Sequence, residues 1–380
     1  MIRIQSKRQC CGCTACMQSC PARCIQMVTD PEGFRYPQAD EALCLNCGVC
    51  EQVCPILTPP HVQATPPDAW GAAASSDALR LKSSSGGVFG VLARHILEKG
   101  GVVYGAAFDH RYRLRHIAIE APEQLCMLMG SKYLQSDIGD CFPQIKAHLQ
   151  EGRTVLFSGT ACQAAGLRKF LGRENPDLII LDVLCHGVPS PEVWSTYLSY
   201  RESQAESAAE TVSFRSKRNG WRNFSLVLGF ANGETYCESM RTDLYMQLFL
   251  ENIILRPSCH DCRFKDLNRP SDLTIGDFWG VENVLPELSD DKGISLVLAH
   301  TPKGRALLEE VGCQLRRIPT DAQTALPPCA DSRRSVPMHP GRGSFFRAFA
   351  KGAPVSQWAS FLKPSLLLRI RGKLLRLLRR

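Results

Sequence analysis

From Trp70 onward the chain alternates between two apolar rhythms. In "SSSGGVFGVLARHILEKGG", Val88, Val91, Leu92 and Ile96 recur at helical spacing, Ser85 stands where an N-cap belongs, and Gly100 marks the stop. "GVVYGAAF" is a continuous apolar run and predicts a buried strand. "RTVLFSGTACQAAGLRKFLG" predicts a strand, a glycine turn and a helix ended by Gly172, and "DLIILDVLCHG" predicts a further strand. This β-α-β succession predicts a parallel sheet in the central region. Asn232 and Gly233, between the strand-like flanks of "FSLVLGFANGETYCES", predict a hairpin. "LTIGDFWG" and "ISLVLAH" add strands, and "TPKGRALLEEVG" adds a helix.

Before Trp70 neither rhythm holds. "PILTPPHVQATPPDAW" carries five prolines and predicts a linker. Upstream of it the organising residue is cysteine, of which the chain has nineteen. Cys10, Cys13, Cys16 and Cys20 stand as CxxCxxCxxxC followed by Pro21, and Cys44, Cys47, Cys50 and Cys54 repeat that spacing before Pro55. This is the bacterial ferredoxin pattern for two 4Fe-4S clusters, in which the fourth cysteine of each run ligates the other cluster. One cluster would take Cys10, Cys13, Cys16 and Cys54, the other Cys44, Cys47, Cys50 and Cys20. A zinc site or a disulfide knot would explain one CxxC pair, but not two complete runs with both prolines. Cys11 and Cys24 fall outside the spacing and read as spare thiols near the loops.

The fold class expected is mixed α/β, or α+β, with a two-cluster ferredoxin domain at the N-terminus. Residues 1–58 form that domain and 59–69 the proline-rich linker. Residues 70–150 and 151–320 form the N-terminal and C-terminal parts of one larger domain, and 321–380 a C-terminal extension.

Composition adds little until charge is located. The net charge is +8, yet residues 363–380, "KPSLLLRIRGKLLRLLRR", hold seven Lys or Arg and no acid, leaving +1 for the rest. A near-neutral body with an aromatic-free basic tail is not the footprint of a nucleic-acid binder. The leucines and arginines of that tail suit contact with an anionic membrane surface, although Gly372 interrupts the run. "MIRIQSKRQC" has no apolar export signal, and no apolar run reaches the ~18 residues of a membrane span. The expectation is a cytoplasmic protein, membrane-associated at most through its tail, whose thiols stay reduced and hold metal.

Four further cysteines stand in unusual settings: Cys162 in "SGTACQ", Cys185 in "LCHG", and Cys259 and Cys262 in "PSCHDC". They suit a third cluster, or a set of inert buried thiols, which spacing alone favours. Cys126, Cys141, Cys237, Cys313 and Cys329 show no ligand spacing and read as packing residues. "SSSGG" and "FSGT", each leading into a helix, suit either a phosphate or a plain cap. His186 and His260 flank the candidate ligands as proton carriers or structural histidines. Asp277 reads as a cofactor acid or a turn residue. Neither GxGxxG after a strand nor GxxxxGK[ST] occurs, so a standard dinucleotide fingerprint and a P-loop are unsupported.

With the cysteine runs, "SSGGVF", "GGVVYGAAFD", "GSKYLQSDIGD", "VLFSGTACQAAGL", "LDVLCHGVPSP", "FRSKRNGW", "PSCHDCRFK" and "SDLTIGDFWG" in this order, the chain resembles the coenzyme F-420 hydrogenase/dehydrogenase beta subunit family over about residues 1–310. The resemblance implies FAD in the large domain, served by iron–sulfur clusters, and favours the third cluster. It implies flavin contacts at Ser85, Gly86 and Gly87, at Ser131, Lys132, Tyr133 and Gln135, and at Ser158, Gly159 and Thr160. Ala161 stands where relatives are expected to carry proline, which leaves that loop less rigid. The short single-chain layout is similar to bacterial members associated with surface polysaccharide gene clusters. The function expected is an oxidoreductase passing electrons between the clusters and a flavin that exchanges hydride with a small molecule. Ferredoxin or a partner subunit would be the one-electron partner. The alternatives are a non-catalytic electron-transfer subunit docking a reductase, and a factor whose clusters are structural staples. No residue is singled out as a catalytic acid or base.

Overall fold

The chain is described here from a computed structural model, which covers residues 1–61 and 65–362. The basic tail, residues 363–380, lies outside the described residues. The N-terminal unit is a cysteine loop, a four-residue helix Ala15–Gln18, an antiparallel hairpin of β1 (Ile25–Thr29) and β2 (Arg35–Ala39), a second cysteine loop and a second four-residue helix Val49–Gln52.

An eight-stranded sheet organises the rest. In chain order its strands are β3 (Asp68–Ala74), β4 (Val102–Phe108), β5 (Leu114–Ile119), β6 (Val155–Thr160), β7 (Leu178–Val183), β11 (Leu273–Asp277), β12 (Ser295–Ala299) and β13 (Leu315–Thr320). Across the sheet they lie in the order β13-β3-β12-β11-β7-β6-β4-β5. β4, β6, β7 and β11 pair in parallel, and the remaining pairs are antiparallel. The parallel centre follows from the expected β-α-β succession, because the helices Cys141–Gln150 and Ala161–Leu171 supply the crossovers that parallel neighbours require. Between β7 and β11 the chain makes an excursion containing β8 (Ala209–Ser216), β9 (Ser225–Phe230) and β10 (Thr235–Ser239), a separate antiparallel sheet. The β9–β10 connection contains Asn232 and Gly233, and Gly233 takes the left-handed φ of +87°.

Two local expectations change. The helix after "SSSGG" is Val88–Glu98, but its N-cap is Gly87, not Ser85. Ser85 Oγ donates instead to Ile294 O at 2.8 Å, so its hydroxyl anchors the loop to the start of β12. Gly159 makes no turn: β6 runs through Ser158 and Gly159 to Thr160, and the helix begins at Ala161. Thr160 caps it with no intervening loop, and the Gln163 side chain accepts from the Thr160 amide at 2.9 Å.

The N-terminal unit shares its core with the large sheet. Cys11, Cys13, Ala15 and Ile56 pack with Val102, Tyr104, Phe142, Phe157 and Ala164 in one apolar cluster. Phe34, fully buried, packs with Trp194 and Phe346 in another. Burying such a side chain stabilises the fold by about 1.5–3 kcal/mol. Arg342 from the C-terminal segment forks onto Glu32 at 3.1 and 2.6 Å. The two units are thus one packed body.

His116 on β5 lies inside this core, stacked on Phe157, with Nε2 donating to Ser158 O at 3.0 Å. Burial holds its pKa down to about 4, and burial holds that of His300 down to about 3. Below the ordinary histidine pKa the unfolded chain therefore binds protons that the folded chain refuses. Stability is full above pH 6.5 and falls as the pH drops toward 4, by on the order of 3 kcal/mol per ring. Denaturant melts of metal-free protein followed by tryptophan fluorescence should show this loss, and His116→Gln should flatten it in part. A pH-independent midpoint between 7 and 4.5 would contradict the burial argument.

Candidate functional site

The two cysteine loops repeat one backbone. Gly12 and Asn46 precede the second cysteine of each run, Thr14 and Gly48 follow it, and all four take left-handed φ values, 71°, 50°, 64° and 74°. Alternating hands of this kind turn successive amide N–H groups to one side and make a concavity for an anion. The two loops are therefore built for the same group.

The fourth cysteines cross over. Cys20 lines one open cavity of ≈ 330 Å³ together with Cys44, Cys47 and Cys50. On the other side Cys54 neighbours Cys10 and Cys16 closely enough to perturb both thiols. Burial pushes the Cys16 thiol up to about 12. The first set lies inward, with Cys10, Cys13 and Cys16 buried, whereas Cys47 of the second is exposed. Cys24 stands beside the second set, its Sγ 3.5 Å from that of Cys20.

Cys162, Cys185, Cys259 and Cys262 also come together. They line one cavity of ≈ 570 Å³ at the C-terminal ends of β6 and β7, with Cys11 as a fifth thiol and Arg256, Lys265 and Arg269 as cations. Cys162 enters it from the first turn of its helix and Cys259 from the short 3₁₀ turn Pro257–Asp261. Burial pushes the Cys185 thiol up to about 12. Each of the three sets has an N–H aimed at a sulfur: Ile2 N to Cys50 at 3.2 Å, Val188 N to Cys259 at 3.4 Å, and Arg256 Nη2 to Cys10 at 3.7 Å. Such donors stabilise thiolate sulfur and tune iron–sulfur potentials. Donor type, crossing, repeated loops and N–H contacts all fit iron–sulfur clusters.

The loop residues singled out for a flavin fall into two groups. Ser85, Gly86, Gly87, Ser131, Lys132 and Tyr133 share one locus at the end of β3 and the start of β12. Ser131 N donates to Ser84 Oγ at 2.6 Å, and Gly86 N to Ser295 Oγ at 3.0 Å. Gln135 faces the cysteines, donating to Cys11 O at 3.0 Å and accepting from Arg256 at 2.8 Å. Thr160 does likewise, its Oγ1 lying 3.1 Å from Cys162 Sγ. Ser158 and Gly159 complete β6.

The sequence reading passed over much of what frames the first locus. Arg215, at the end of β8, forks onto Asp277 at 2.8 and 3.0 Å and donates to Tyr133 Oη at 3.2 Å, while its buried Nε has no partner. Trp221 donates to Asp277 at 2.9 Å and stacks on Trp279 with ring centres 4.8 Å apart and planes 8° from parallel. Trp221 is buried and Trp279 is half exposed, so Trp279 presents a fixed flat surface to solvent. Lys132 and Lys217 each donate to three backbone carbonyls, and burial lowers their pKa values to about 7 and about 8. The solvent-facing side of Trp279 is the surface at this locus that suits a planar ring, while the Arg215 guanidinium is already held over Phe224 and Trp279. The one available signal, "FRSKRNGW" beside "GDFW", had no spacing rule to link its two halves.

The other residues resolve simply. His186 bonds Asn252 at 2.7 Å, and His260 Nδ1 bonds Val336 O at 3.2 Å. Burial lowers the pKa of both, to about 4 for His260. Of the five cysteines read as packing residues only Cys141 is buried; Cys126, Cys237, Cys313 and Cys329 are exposed, because each lies on a surface turn, short helix or edge strand. No helix among the described residues is long and apolar enough to cross a membrane.

Residues 152–316 match the family described as the C terminus of the coenzyme F420 hydrogenase/dehydrogenase beta subunit, and residues 9–56 match the 4Fe-4S dicluster domain. Among solved structures the chain is similar to one in the F420-reducing [NiFe] hydrogenase complex from Methanosarcina barkeri. The identity is 16% and the TM-score 0.46, over 75% of this chain and 87% of that one. No curated protein matches.

Proposed function

We propose, for a chain that is a coenzyme F420 hydrogenase/dehydrogenase beta-subunit-like protein with an N-terminal 4Fe-4S dicluster domain, that it is an oxidoreductase carrying electrons from an exposed cluster, through buried ones, to a flavin. The observation that carries the reading is the gathering of Cys20, Cys44, Cys47 and Cys50 at one cavity and of Cys162, Cys185, Cys259 and Cys262 at another, with Cys54 brought beside Cys10 and Cys16. A one-electron carrier, either ferredoxin or a partner subunit, meets the protein at the Cys47 end. Leu43, Leu45 and Leu57 are exposed in the same segment, which supports that end as the docking face.

FAD, when bound, supplies the exchange between single electrons and hydride. Trp279 would offer its exposed face to the ring system, and the Asp277 carboxylate holds the buried Arg215 charge behind it, against Phe224 and Trp279. Lys132 and Lys217 hold the loop carbonyls and keep the locus rigid. The hydride partner is an F-420-type deazaflavin or another small acceptor, with a part in surface-polysaccharide metabolism as a further element of the proposal. Contact with a membrane surface through the basic tail is a further part of the proposal.

Iron, sulfide and extracted flavin per chain of anaerobically purified protein test the reading. About twelve irons and one flavin are expected. Trp279→Ala should weaken flavin binding about tenfold with iron unchanged, as loss of an aromatic stacking partner does. About eight irons with no flavin after reconstitution with FAD would leave a two-cluster electron carrier.

A further inference from the structure

Five arginines are buried among the described residues: Arg80, Arg215, Arg256, Arg269 and Arg342. Four of them face a carboxylate: Arg80 faces Asp290, Arg215 faces Asp277, Arg269 faces Asp182 and Arg342 faces Glu32. Arg256, 1% exposed, has no carboxylate oxygen within 4.0 Å among the described residues. Its donors go to Cys10 O at 2.8 Å, Gln135 Oε1 at 2.8 Å, Arg35 O at 2.9 Å and Cys10 Sγ at 3.7 Å. Its guanidinium carbon also lies 4.3 Å from the centre of the Tyr36 ring. A buried cation without a counter-charge is strongly destabilising, and an aromatic face offsets only part of that cost. The chain nonetheless packs its first cysteine loop directly on this group: a Cβ on Gly12 would stand 2.9 Å from Arg256 Nη1.

The anion these contacts reach directly is the one the first cysteine set would hold, because Arg256 Nη2 donates to Cys10 Sγ. A cubane with four thiolates carries net negative charge, and each electron it accepts adds one unit more. We propose that Arg256 is the counter-charge of the cluster held by Cys10, Cys13, Cys16 and Cys54 and raises its reduction potential above that of the exposed cluster; this rests on the cluster reading above. The asymmetry between the sets supports it. Cations stand near all three sets, the Met1 ammonium at the second and Lys265 and Arg269 at the third, but among the described residues only Cys10 Sγ accepts directly from a charged side chain; the donors to Cys50 and Cys259 are the backbone amides of Ile2 and Val188. A higher potential at the inner cluster draws an electron inward from the Cys47 end. Arg256 also lines the third cavity, so the same cation stands where the electron leaves the first set. Arg256 touches no substrate in this account: it is a positioning residue whose effect is electrostatic.

The test uses the full chain, reconstituted anaerobically with iron and sulfide, in a redox titration followed by electron paramagnetic resonance. The probes are Arg256→Gln, which removes the charge, and Arg256→Lys, which keeps the charge but loses the planar fork. In Arg256→Gln, with iron content at the parent level, the equilibrium constant for reducing one cluster should fall about tenfold, or ~59 mV for one electron. The midpoint of the exposed cluster should not move, and Arg256→Lys should shift the inner cluster by less than Arg256→Gln. Unmoved midpoints in Arg256→Gln would overturn the proposal. So would equal shifts in both variants, which would mean packing, or loss of about four irons from both on a folded chain, which would mean a purely structural role. A parent chain holding fewer than about eight irons would sink the cluster reading itself, and that failure shows before any variant is compared.

Discussion

Cys259→Ser is expected to hold about eight irons where the parent holds about twelve, and to keep the spectrum of the two N-terminal clusters. The argument is one of position. Cys259 lines the cavity shared by Cys162, Cys185 and Cys262, accepts an N–H from Val188 at 3.4 Å, and makes no contact with the crossed sets. Serine keeps the volume but offers a hard oxygen that binds iron poorly in a sulfur cage. Cys11 lines the same cavity and is the one other thiol that could take the vacated place. Cys259→Ser combined with Cys11→Ser should therefore hold the same iron as Cys259→Ser alone; substitution by Cys11 would instead show as about twelve irons in the single variant and about eight in the double one. Iron and sulfide analysis decides both points, and an unchanged count of irons in both the single and the double variant would remove Cys259 from the ligand set.

Gly166→Leu is expected to expel the first cysteine loop. Gly166 lies on the helix Ala161–Leu171 where that helix meets the N-terminal unit, and even a Cβ there would stand 2.8 Å from Cys13 Cβ and 3.0 Å from its sulfur. Leucine adds three further carbons to a contact with no slack. Overpacking of this kind costs about 3 kcal/mol, and here the group displaced is a ligand of the inner cluster. Loss of about four irons and a lower melting temperature should appear together. Gly172→Ala is the comparison: that glycine has nothing within 4 Å of its Cβ position, so its variant should keep its iron and lose only the strain of a left-handed alanine. Full iron in Gly166→Leu would mean that the loop relocates without cost.

What could be read from the chain and what could not divide along sequence distance. The crossed pairing of Cys20 with Cys44, Cys47 and Cys50 was legible because the constraint is local to each loop and repeated. The parallel order β4-β6-β7 was legible because each crossover helix follows its strand at once. Arg256 was not, since its role comes from meeting Cys10 across most of the chain, and nothing near "ILRPSC" marks it. The same holds for Arg215 with Asp277 and for Trp221 with Trp279. Four exposed cysteines were misread as packing residues because cysteine is usually buried, and that tendency yields to position on turns, short helices and an edge strand.

The shared core has a kinetic consequence. Phe34 and Ile56 belong to the same apolar clusters as the large sheet, so the cluster-bearing unit cannot leave to collect its charge elsewhere and return. It is a fixed lead, not a shuttle. Under the proposed electron route, reduction is then paced by encounters at the Cys47 tip, and with a diffusing carrier it should respond to that carrier's concentration and surface charge while staying indifferent to the concentration of the protein's own copies.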